Sequence, residues 1–537
     1  MRSHDRGWTN AELSLAGLAV ALGAGNQDGP LSVAEERLFA ALATLDPPPA
    51  LEVRRVAAEI RGGNDPLGDR LVAARTKDLR RNRGQVLTPK AILEPMVDWA
   101  LDQEPTRVID AGCGSGRFAI EVARRTGAQI IAVDTDPLAT ILTRAGLAVV
   151  RPDMVATVVN ADYTQMTLPR HSGRTAFIGN PPYIRHHQLT NTTKAWGYLA
   201  SQRFGFRLSG LAGLHVYFFL ATAIHAKPSD IGCFVTSSEW LDVNYGDAVR
   251  HLLLNGLGGC SVHVIDPTAL PFEDTATTAA ITCFRIGTRP DTFRMRAVKH
   301  AGELRPLGAG KRLTREQLNK TERWSPLIRT VPPIPRGYVE LGEICRVHRG
   351  QVTGSNATWV VPPGTSAQVP ERYMVPTITR ARELIDAGQR LRSTDGLRRV
   401  IDLPVNLDEL DADELAGVEE FLAMARAKGV PDGYVARHRR AWWAVGLRKP
   451  APILATYMAR RPPAFVRNDV GVYNINIAHG IYPRQPLPDL VLDGLARALR
   501  RSMSLHFGRT YAGGLVKFEP REMERIPVPS PELLQAS

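Results

Sequence analysis

Short apolar segments alternate with helical segments from about residue 105 onward, and this alternation limits the possible folds more than any other feature. Four segments have the composition of buried strands that end in turns: TRVIDAGCGSG, QIIAVDTDP, ATVVNADY and TAFIGNPPY. The segments FAIEVARR and PLATILTRAGLAVV, which lie between the first three, are predicted helices. Strands that alternate with helices pair in parallel. The sequence therefore predicts a doubly wound α/β sheet, which IGCFVTSSEWL, CSVHVIDPTALPF and TAAITCFRIG complete.

The regions on either side of this pattern differ from it in composition. A chain of 537 residues is too long for one hydrophobic core, so two or three domains are expected. Segments such as AEERLFAALATL have helical periodicity. The predicted organisation is a helical N-terminal segment (1–80), a sheet domain (81–290), a proline- and arginine-rich linker region (291–338) and a mixed α/β domain (339–537). The N-terminal segment could serve as a lid or as a cap that docks a partner, and the sequence does not decide between them.

Charge and cysteine content restrict the class of protein. The net charge of +13 favours a polyanionic partner, although an arginine-rich proteome would give the same balance. No apolar run reaches the roughly 18 residues that span a bilayer, so no membrane partner is expected. The five cysteines form no CxxC pair, so no metal site is expected. An odd number of scattered cysteines is typical of a reducing cytoplasm, which is the predicted location.

The turn after the first predicted strand has the composition of a ligand-binding loop. Asp110, Gly112, Gly114 and Gly116 lie at the carboxyl end of that strand. Glycines there let the backbone turn sharply and approach a ligand closely. Because dinucleotide-binding enzymes have similar turns, this motif alone does not identify the ligand.

Acidic residues follow the next two strands at the same edge. Asp134 ends the second strand and is positioned to accept hydrogen bonds from the ribose hydroxyls of an adenosine. Asp136 is close enough to compete for that role, and Asp134 is preferred because it lies directly at the strand end. Asp162, after the third strand, could accept a hydrogen bond from the adenine amino group of a cofactor. Each acid taken singly could instead cap a loop.

The most specific motif is the sequence Asn180-Pro181-Pro182-Tyr183 at the end of the fourth strand. The prolines fix the backbone and lack N–H donors, so an Asn oxygen and a proline carbonyl can accept both hydrogens of an exocyclic amine. Tyr183 can stack on a planar base or amide. The predicted chemistry is methylation of an amine by proximity and orientation, with no covalent nucleophile or metal.

Two histidines follow this motif and allow other interpretations. His186 and His187 could form part of a metal site or act as a general base. A basic loop beside the substrate is the preferred interpretation, because a methylated amine can lose its proton to solvent.

With these motifs in order, the chain resembles the amino-methyltransferases of the N6-adenine class, in the gamma arrangement of type II restriction–modification systems (the Eco57I-like methylases). DAGCGSG, AVDTDP, NADY and NPPY match that family in order and spacing. GQVLTPKAI resembles the family's leading motif, which implies that Thr88 and Pro89 contact the methionine end of the cofactor. LPFEDTATTAAITCF resembles a later motif, which implies that Phe272 stacks on a flipped base. The resemblance covers roughly residues 80–290.

The resemblance implies both a fold and an activity. The fold is a Rossmann-like, S-adenosylmethionine-dependent methyltransferase sheet followed by a target-recognition domain. The activity is transfer of a methyl group from S-adenosylmethionine to adenine N6 of a flipped base in double-stranded DNA, in restriction–modification or phage defence. Residues 1–80 contain no PD…ExK nuclease motif, so a cognate restriction endonuclease, if there is one, is expected on a separate chain. A monomer is expected, because one chain contains both parts.

The C-terminal part has a basic, aromatic-rich stretch that suits contact with DNA phosphates. Residues 434–467 include eight Lys or Arg and no acid. An alternative is a solvated basic face over a tryptophan-anchored core. The basic stretch 75–83 could also contact the DNA backbone. The predicted DNA-facing residues are Arg349, Asn356, Arg460, Arg461 and Asn468.

Other functions share the NPPY chemistry. RNA amino-methyltransferases and protein glutamine methyltransferases are the main alternatives. The long C-terminal region and the leading Thr-Pro motif argue against a glutamine methyltransferase. Cytosine N4 methylation more often uses SPPY, so Asn180 favours adenine. A non-catalytic DNA-binding subunit is disfavoured by the intact acids and the intact NPPY.

Overall fold

A computed structural model of the chain describes residues 7–26, 29–153, 156–265, 279–328, 334–365, 368–459, 462–502, 509–511 and 515–536. These residues form two compact units. The first lies within Met1–Val331, and the second lies within Pro332–Tyr511 and Leu515–Ser537.

The first unit begins with six helices and continues as alternating strands and helices. Its elements are α1 (Asn10–Ala21), α2 (Val33–Leu42), α3 (Ala50–Arg61), α4 (Pro66–Ala74), α5 (Lys77–Arg83), α6 (Lys90–Leu101), β1 (Arg107–Ala111), α7 (Arg117–Arg125), β2 (Gln129–Asp134), α8 (Pro137–Val150), β3 (Ala156–Asn160), β4 (Thr175–Gly179), α9 (Asn191–Gln202), α10 (Leu214–His225), β5 (Ile231–Ser237), α11 (Asp247–Asn255), β6 (Gly259–Ile265), β7 (Ala279–Arg285), β8 (Thr292–Val298), β9 (Lys311–Thr314) and α12 (Arg315–Lys320).

These strands form one sheet in the order β3-β2-β1-β4-β5-β7-β6-β8-β9. Strands β1 to β5 are parallel, whereas β7 is inserted antiparallel between β5 and β6. All residues of β1, β4 and β5 are buried, because helices cover both faces of the sheet. The predicted doubly wound α/β fold is confirmed. The strand order reverses between β1 and β4, and ligands bind at such a switch point, outside the carboxyl ends of the strands.

The interval 291–338, predicted as a linker region, contributes strands to this sheet. β8 pairs with β6 and β9 pairs with β8. Phe293, Met295, Leu313 and Trp324 are buried in the core beneath them. Only three of the seven residues of β8 are buried, so its apolar signal is weak among prolines and arginines. The linker prediction is therefore wrong for the described residues 292–328.

The N-terminal helices pack against the sheet domain rather than standing apart from it. Leu15, Leu38, Ile60 and Leu71 share a buried cluster with residues of α8. Helix α8 is buried along almost its whole length, because it lies between the sheet and these helices. Residues before β1 thereby reach the ligand edge of the sheet.

The second unit is mixed α/β. Its elements are β10 (Tyr338–Glu340), α13 (Leu341–Ile344), β11 (Cys345–Arg349), α14 (Asn356–Trp359), β12 (Val360–Val361), β13 (Met374–Ile378), α15 (Ala381–Asp386), β14 (Arg390–Leu391), β15 (Arg399–Ile401), α16 (Ala412–Ala427), α17 (Tyr434–Arg437), β16 (Ile453–Thr456), β17 (Met458–Ala459), β18 (Phe465–Asn468), β19 (Tyr473–Asn474), β20 (Ala478–Pro483), α18 (Asp489–Ser502), β21 (Arg509–Tyr511), β22 (Leu515–Lys517), α19 (Pro520–Glu524), β23 (Pro527–Pro529) and α20 (Pro531–Ala536).

The largest sheet of the second unit has five strands in the order β11-β20-β16-β18-β14, and a four-stranded sheet has the order β12-β15-β13-β19. Helix α18 contributes Leu495 and Leu499 to the main core, while Trp359 lies at the centre of another. Among the residues that the structure describes in either unit, no helix is long and apolar enough to span a membrane.

Candidate cofactor and catalytic site

The turn after β1 is built for close approach of a ligand. Asp110 is fully buried, and its Oδ2 accepts a hydrogen bond from the Ala119 N–H at 3.0 Å. Its Oδ1 is buried with no hydrogen-bond partner among the described residues. Burial raises the pKa of Asp110 to about 7, and the charge of Asp134 adds to the effect. Gly116 has φ of +88°, and a Cβ there would lie 2.9 Å from Thr143, so this position requires glycine.

Asp134 at the end of β2 is held by backbone donors, with no side-chain donor in the part of the chain that the structure describes. Its carboxylate accepts hydrogen bonds from the N–H groups of Gly114 and Asp136, both at 2.9 Å. Burial, and then the charge of Asp136, raises the pKa of Asp134 to about 6. A Cβ added at Gly114 would meet nothing within 4 Å. Space is therefore available beside a carboxylate that still has acceptor capacity.

Asp136, the competing candidate, is already occupied by side chains of the preceding segment. It forms ion pairs with Arg75 and with Arg83, the latter at 2.9 Å, and it accepts a hydrogen bond from Gln85 Nε2 at 2.8 Å. Burial opposes its ionisation, but hydrogen bonds and charge from Arg75 and Arg83 outweigh burial and lower the pKa of Asp136. This arrangement favours Asp134 over Asp136 as the ribose acceptor. It also places Arg75 and Arg83 of the basic stretch against a carboxylate rather than toward DNA.

Asp162 caps the turn that follows β3. Its Oδ1 accepts hydrogen bonds from the Thr164 N–H at 2.9 Å and the Thr164 hydroxyl at 2.7 Å. Its Oδ2 accepts one from Gln165 Nε2 at 3.1 Å. Three of roughly four acceptor positions are thus used, which leaves room for one donor from a ligand.

Asn180 lies just beyond β4 with its amide orientation fixed. Its Nδ2 donates to the carbonyl of Val86 and to the hydroxyl of Thr88, both at 3.1 Å. Both amide hydrogens are used, so Oδ1 must point the other way. That oxygen is buried and has no partner in the described part of the chain. The Pro181 carbonyl likewise accepts no hydrogen bond from the described residues, whereas the Pro182 carbonyl accepts one from Ile184 at 3.0 Å.

The predicted leading motif packs directly on the catalytic motif. The Tyr183 N–H donates to the Gly84 carbonyl at 3.3 Å. Gly84 has φ of +62°, and a Cβ there would lie 2.7 Å from the Tyr183 nitrogen. Pro89 immediately precedes α6, and Thr88 is buried against Asn180. The Tyr183 hydroxyl is buried without a partner among the described residues, and burial raises its pKa.

Several residues that support the turn were not predicted from the sequence. Asp65 accepts hydrogen bonds from Ser115 Oγ and Arg117 Nε, both at 2.6 Å. Burial raises the pKa of Asp65 although Arg117 opposes it. Arg75 also pairs with Glu12 at 2.9 Å, with its own side chain fully buried. In the sequence Asp65 only signals a helix start before Pro66, and no local pattern indicates contacts to residues 50 or more positions away.

The two histidines after the motif are not arranged as a metal site. His186 and His187 contact each other edge to face, with ring centroids 5.5 Å apart. Within the described ranges, no group of three or more His, Cys, Asp or Glu side chains could hold a metal ion.

The predicted DNA-facing residues of the second unit differ in exposure and contacts. Arg349 is exposed, with its guanidinium 5.7 Å from the Tyr457 ring centroid, and Asn356 is exposed at the start of α14. Asn468 is only 8% exposed and bonds to Ala451 and Val472, so the prediction that it faces DNA is wrong. Three predicted residues lie outside the described residues: Phe272, Arg460 and Arg461.

Comparisons with known proteins match the chain to methyltransferase families. The family described as "Eco57I restriction-modification methylase" matches residues 165–263, and "Type II methyltransferase M.Eco57I, C-terminal domain" matches residues 334–537. A general methyltransferase domain matches residues 108–196. The chain is 47% identical over 475 residues to the type II methyltransferase M.XamI of Xanthomonas campestris pv. amaranthicola, covering 88% of each chain.

More distant proteins match a large part of the chain. The type II methyltransferase M.AccI of Acinetobacter calcoaceticus is 23% identical over 368 residues, which are 65% of this chain and 67% of that one. The solved structure of the type IIL restriction-modification enzyme MmeI, in complex with DNA, is similar in fold, with a TM-score of 0.58 at 13% identity, covering 95% of this chain and 84% of that one. The fold and the family imply S-adenosylmethionine as cofactor. The chain therefore belongs to the Eco57I-like family of type II restriction–modification methyltransferases.

Proposed function

We propose that this protein methylates the N6 amine of adenine in double-stranded DNA, with S-adenosylmethionine as methyl donor and with the target base extruded from the helix. The observation on which the proposal rests is the buried Oδ1 of Asn180, which has no partner among the described residues. An unmet buried acceptor is costly, so its presence next to a free proline carbonyl suggests that a substrate donor satisfies it.

The residues at the sheet edge fit the proposed cofactor. Asp110 has an acceptor oxygen without a described partner, and the turn at Gly114 opens on free space. Asp134 would accept the ribose hydroxyls, and Asp162 has capacity for the adenine amine. Thr88 and Pro89 would flank the methionine end, as the family resemblance implies. When bound, S-adenosylmethionine supplies an electrophilic methyl group on a positively charged sulfur.

The chain's own contribution to the reaction is to orient an amine. An exocyclic amine has two hydrogens, and Asn180 Oδ1 and the Pro181 carbonyl provide two acceptors that lack competing donors among the described residues. With both hydrogens held, the nitrogen lone pair is directed out of the amine plane toward the cofactor edge. Holding the reacting atoms in line accounts for a large part of the acceleration in such reactions. The proton released after transfer passes to solvent.

The position of the motif supports extrusion of the target base. The Oδ1 of Asn180 is buried just beyond β4, so the amine of a base stacked within a duplex would not reach it. Unstacking costs a few kcal/mol, which stacking on the Tyr183 ring would partly offset. The Tyr183 side chain is partly buried at this position. Phe272 is the predicted second stacking residue, from the family resemblance.

Single-molecule sequencing of genomic DNA from a methylation-free host tests this proposal. We expect N6-methyladenine in one short motif when the host expresses the wild type and none when it expresses Asn180→Ala. The variant must still bind S-adenosylmethionine, which shows that it is folded. N4-methylcytosine in that motif would overturn the choice of base. No modified base, from a folded wild type that binds the cofactor, would overturn DNA methylation and favour an RNA or protein amine as substrate.

A further inference from the structure

The segment between Asp162 and Asp230 contains no acidic residue, although acids make up 54 of the 537 residues of the chain. This acid-free segment (residues 163–229) includes the catalytic motif, α9 and α10, and the structure describes all of it. It contains seven basic residues: Arg170, Arg174, Arg185, Lys194, Arg203, Arg207 and Lys227. Its positive charge is therefore not neutralised within the segment.

The cations of this segment are used in two ways. Arg174 and Lys227 donate to backbone carbonyls, at 3.0 Å to Ser229 and 2.6 Å to His171. By contrast, Lys194 and Arg207 form no ion pair with any described residue. Arginines elsewhere in the first unit do pair, as Arg125 does with Asp98 at 2.8 Å. Uncompensated cations on a surface favour a polyanionic ligand.

Helix α9 is a fixed support for these cations. Gly197 lies so close to α10 that a Cβ would be 2.3 Å from the Tyr217 ring. Trp196 stacks on Tyr217 with centroids 6.4 Å apart. Ser201 Oγ donates to the Tyr198 carbonyl at 2.9 Å and accepts from the Leu208 N–H at 3.1 Å, which ties the following loop to the helix.

An open cavity of about 330 Å³ lies where the helix and this loop meet. Arg207 lies 5.1 Å from the centroid of the Tyr198 ring, which is exposed at 39%. The cavity is lined by Lys194, Tyr198, Arg207, Leu208, Ser209, Gly210 and Tyr217. A lysine ammonium and an arginine fork on one cavity are a suitable donor set for phosphate oxygens. Lys194, Tyr198, Arg207 and Ser209 are called the α9 surface below.

The α9 surface is connected to the catalytic loop at both ends. Helix α9 begins at Asn191, shortly after Tyr183 in the chain. On the other side, the Leu214 N–H donates to the Ile184 carbonyl at 2.9 Å. Phosphates that flank a base held at Asn180 would therefore pass near this surface.

We propose that the α9 surface binds the phosphodiester backbone of the DNA strand that contains the target base, with Lys194 and Arg207 each neutralising a phosphate. This proposal rests on the proposed function and adds to it a DNA contact on the catalytic unit, separate from the second unit. Its role is to hold the strand while the base is extruded.

The salt dependence of DNA binding by the full-length protein tests this assignment. The affinity for a short duplex that contains the target motif found by sequencing would be measured by fluorescence anisotropy over a series of KCl concentrations. For Lys194→Gln/Arg207→Gln we expect the slope of log affinity against log salt to become shallower by about 0.9 for each phosphate that the variant no longer neutralises. We also expect the KM for DNA to rise more than kcat falls.

Two matched variants separate charge at this surface from charge in general. Arg55→Gln/Lys320→Gln removes the same charge from exposed residues that already pair with Glu59 and Glu316, and we expect the wild-type slope. Lys194→Arg/Arg207→Lys keeps both charges and should also keep the slope. Retained cofactor binding shows that each variant is folded.

Specific outcomes would overturn the assignment. An unchanged slope in the Lys194→Gln/Arg207→Gln variant would do so, and so would an equal decrease in the Arg55→Gln/Lys320→Gln variant. Because the slope comes from binding, it is independent of methylation. Failure of the wild type to methylate DNA counts against the proposed function instead, so the two failures are distinguishable.

Discussion

Two sides of the glycine-rich turn after β1 use charged groups in opposite ways. On the side that faces the N-terminal helices, carboxylates meet arginines: Asp65 binds Arg117, and Asp136 binds Arg75 and Arg83. On the ligand side, the donors to Asp110 and Asp134 among the described residues are backbone N–H groups alone. On the N-terminal side, each of these carboxylates is already paired with an arginine, and these ion pairs are called the support below. On the ligand side, the carboxylates retain acceptor capacity for a bound molecule.

Two carboxylates in the turn between β2 and α8 show the electrostatic result. Asp134 is half-buried and Asp136 is buried two residues later, yet the pKa of Asp134 is raised to about 6 and that of Asp136 is lowered. Burial raises both pKa values, but hydrogen bonds and charge from Arg75 and Arg83 lower that of Asp136, whereas the charge of Asp136 raises that of Asp134 further. The support therefore fixes the backbone without using the acceptors that a ligand needs.

The largest expected effect comes from breaking the support at Arg75. Arg75→Met leaves Asp136 and Glu12 buried with weaker compensation, which should lower the free energy of unfolding by about 3–5 kcal/mol. Urea titrations measure this. The matched control is Arg70→Met, which removes a partly exposed pair with Glu52 at 2.7 Å and should cost about 0–1 kcal/mol. Equal losses in the two variants would contradict a special role for the support.

On the ligand side, the expected effect is on catalysis rather than on stability. Asn180→Ala should lower kcat by about 10²–10³-fold, as loss of one preorganised hydrogen-bonding group does in other enzymes. Single-turnover methylation of duplex DNA measures this. Gln188→Ala is a control in the same loop, since that side chain is exposed and its one hydrogen bond to a described residue is to Asn82, and we expect it to retain activity. A small decrease for Asn180→Ala would show that Oδ1 does not hold the amine.

The relative contributions of Asp134 and Asp162 to cofactor binding can be compared by calorimetry. Asp134→Asn should weaken S-adenosylmethionine binding by about tenfold or more, because a hydrogen bond to a charged group contributes roughly 1.5–3 kcal/mol. Asp162→Asn should have a smaller effect, because Thr164 and Gln165 already occupy most of that carboxylate. The reverse order would assign the ribose contact elsewhere.

The smallest expected effect is a pH dependence of stability. The contributions of Asp134 and Asp136 to stability change in opposite directions with pH. Asp134 is protonated in the unliganded protein below about pH 6, while the unfolded chain stays ionised to lower pH. Its ionisation therefore lowers stability as the pH rises through this window, and cofactor affinity should fall, by up to tenfold per pH unit, below about pH 6. Asp136 has a lowered pKa, so its contribution to stability is present at neutral pH and is lost only in acid.

Calorimetry across this range, with Asp134→Asn beside the wild type, measures the first of these effects. We expect the variant to show a flatter profile. A profile that the variant leaves unchanged would mean that another group, such as Asp110, controls the affinity.

Sequence reasoning succeeded where a local pattern determines the structure. Buried strands and the turns after them are local features, so the strand ends and the doubly wound sheet were predictable. The structure favours Asp134 over Asp136 because Arg75 pairs with Asp136. Arg75 is distant in the chain, and no periodicity of the sequence indicates that contact. Asn468 shows the same limit, because a polar residue in a strand can satisfy buried backbone carbonyls as well as face solvent.

The packing of the N-terminal helices has a consequence for protein engineering. Asp65, Arg75 and Gln85 precede β1, yet they hold the turn and the carboxylate beside the cofactor edge. A truncated or chimeric enzyme that starts at the first strand would contain every family motif from the glycine-rich turn onward and still lack one wall of its site. The smallest transplantable methyltransferase module of this chain therefore begins at α1, and grafts should exchange these helices together with the sheet.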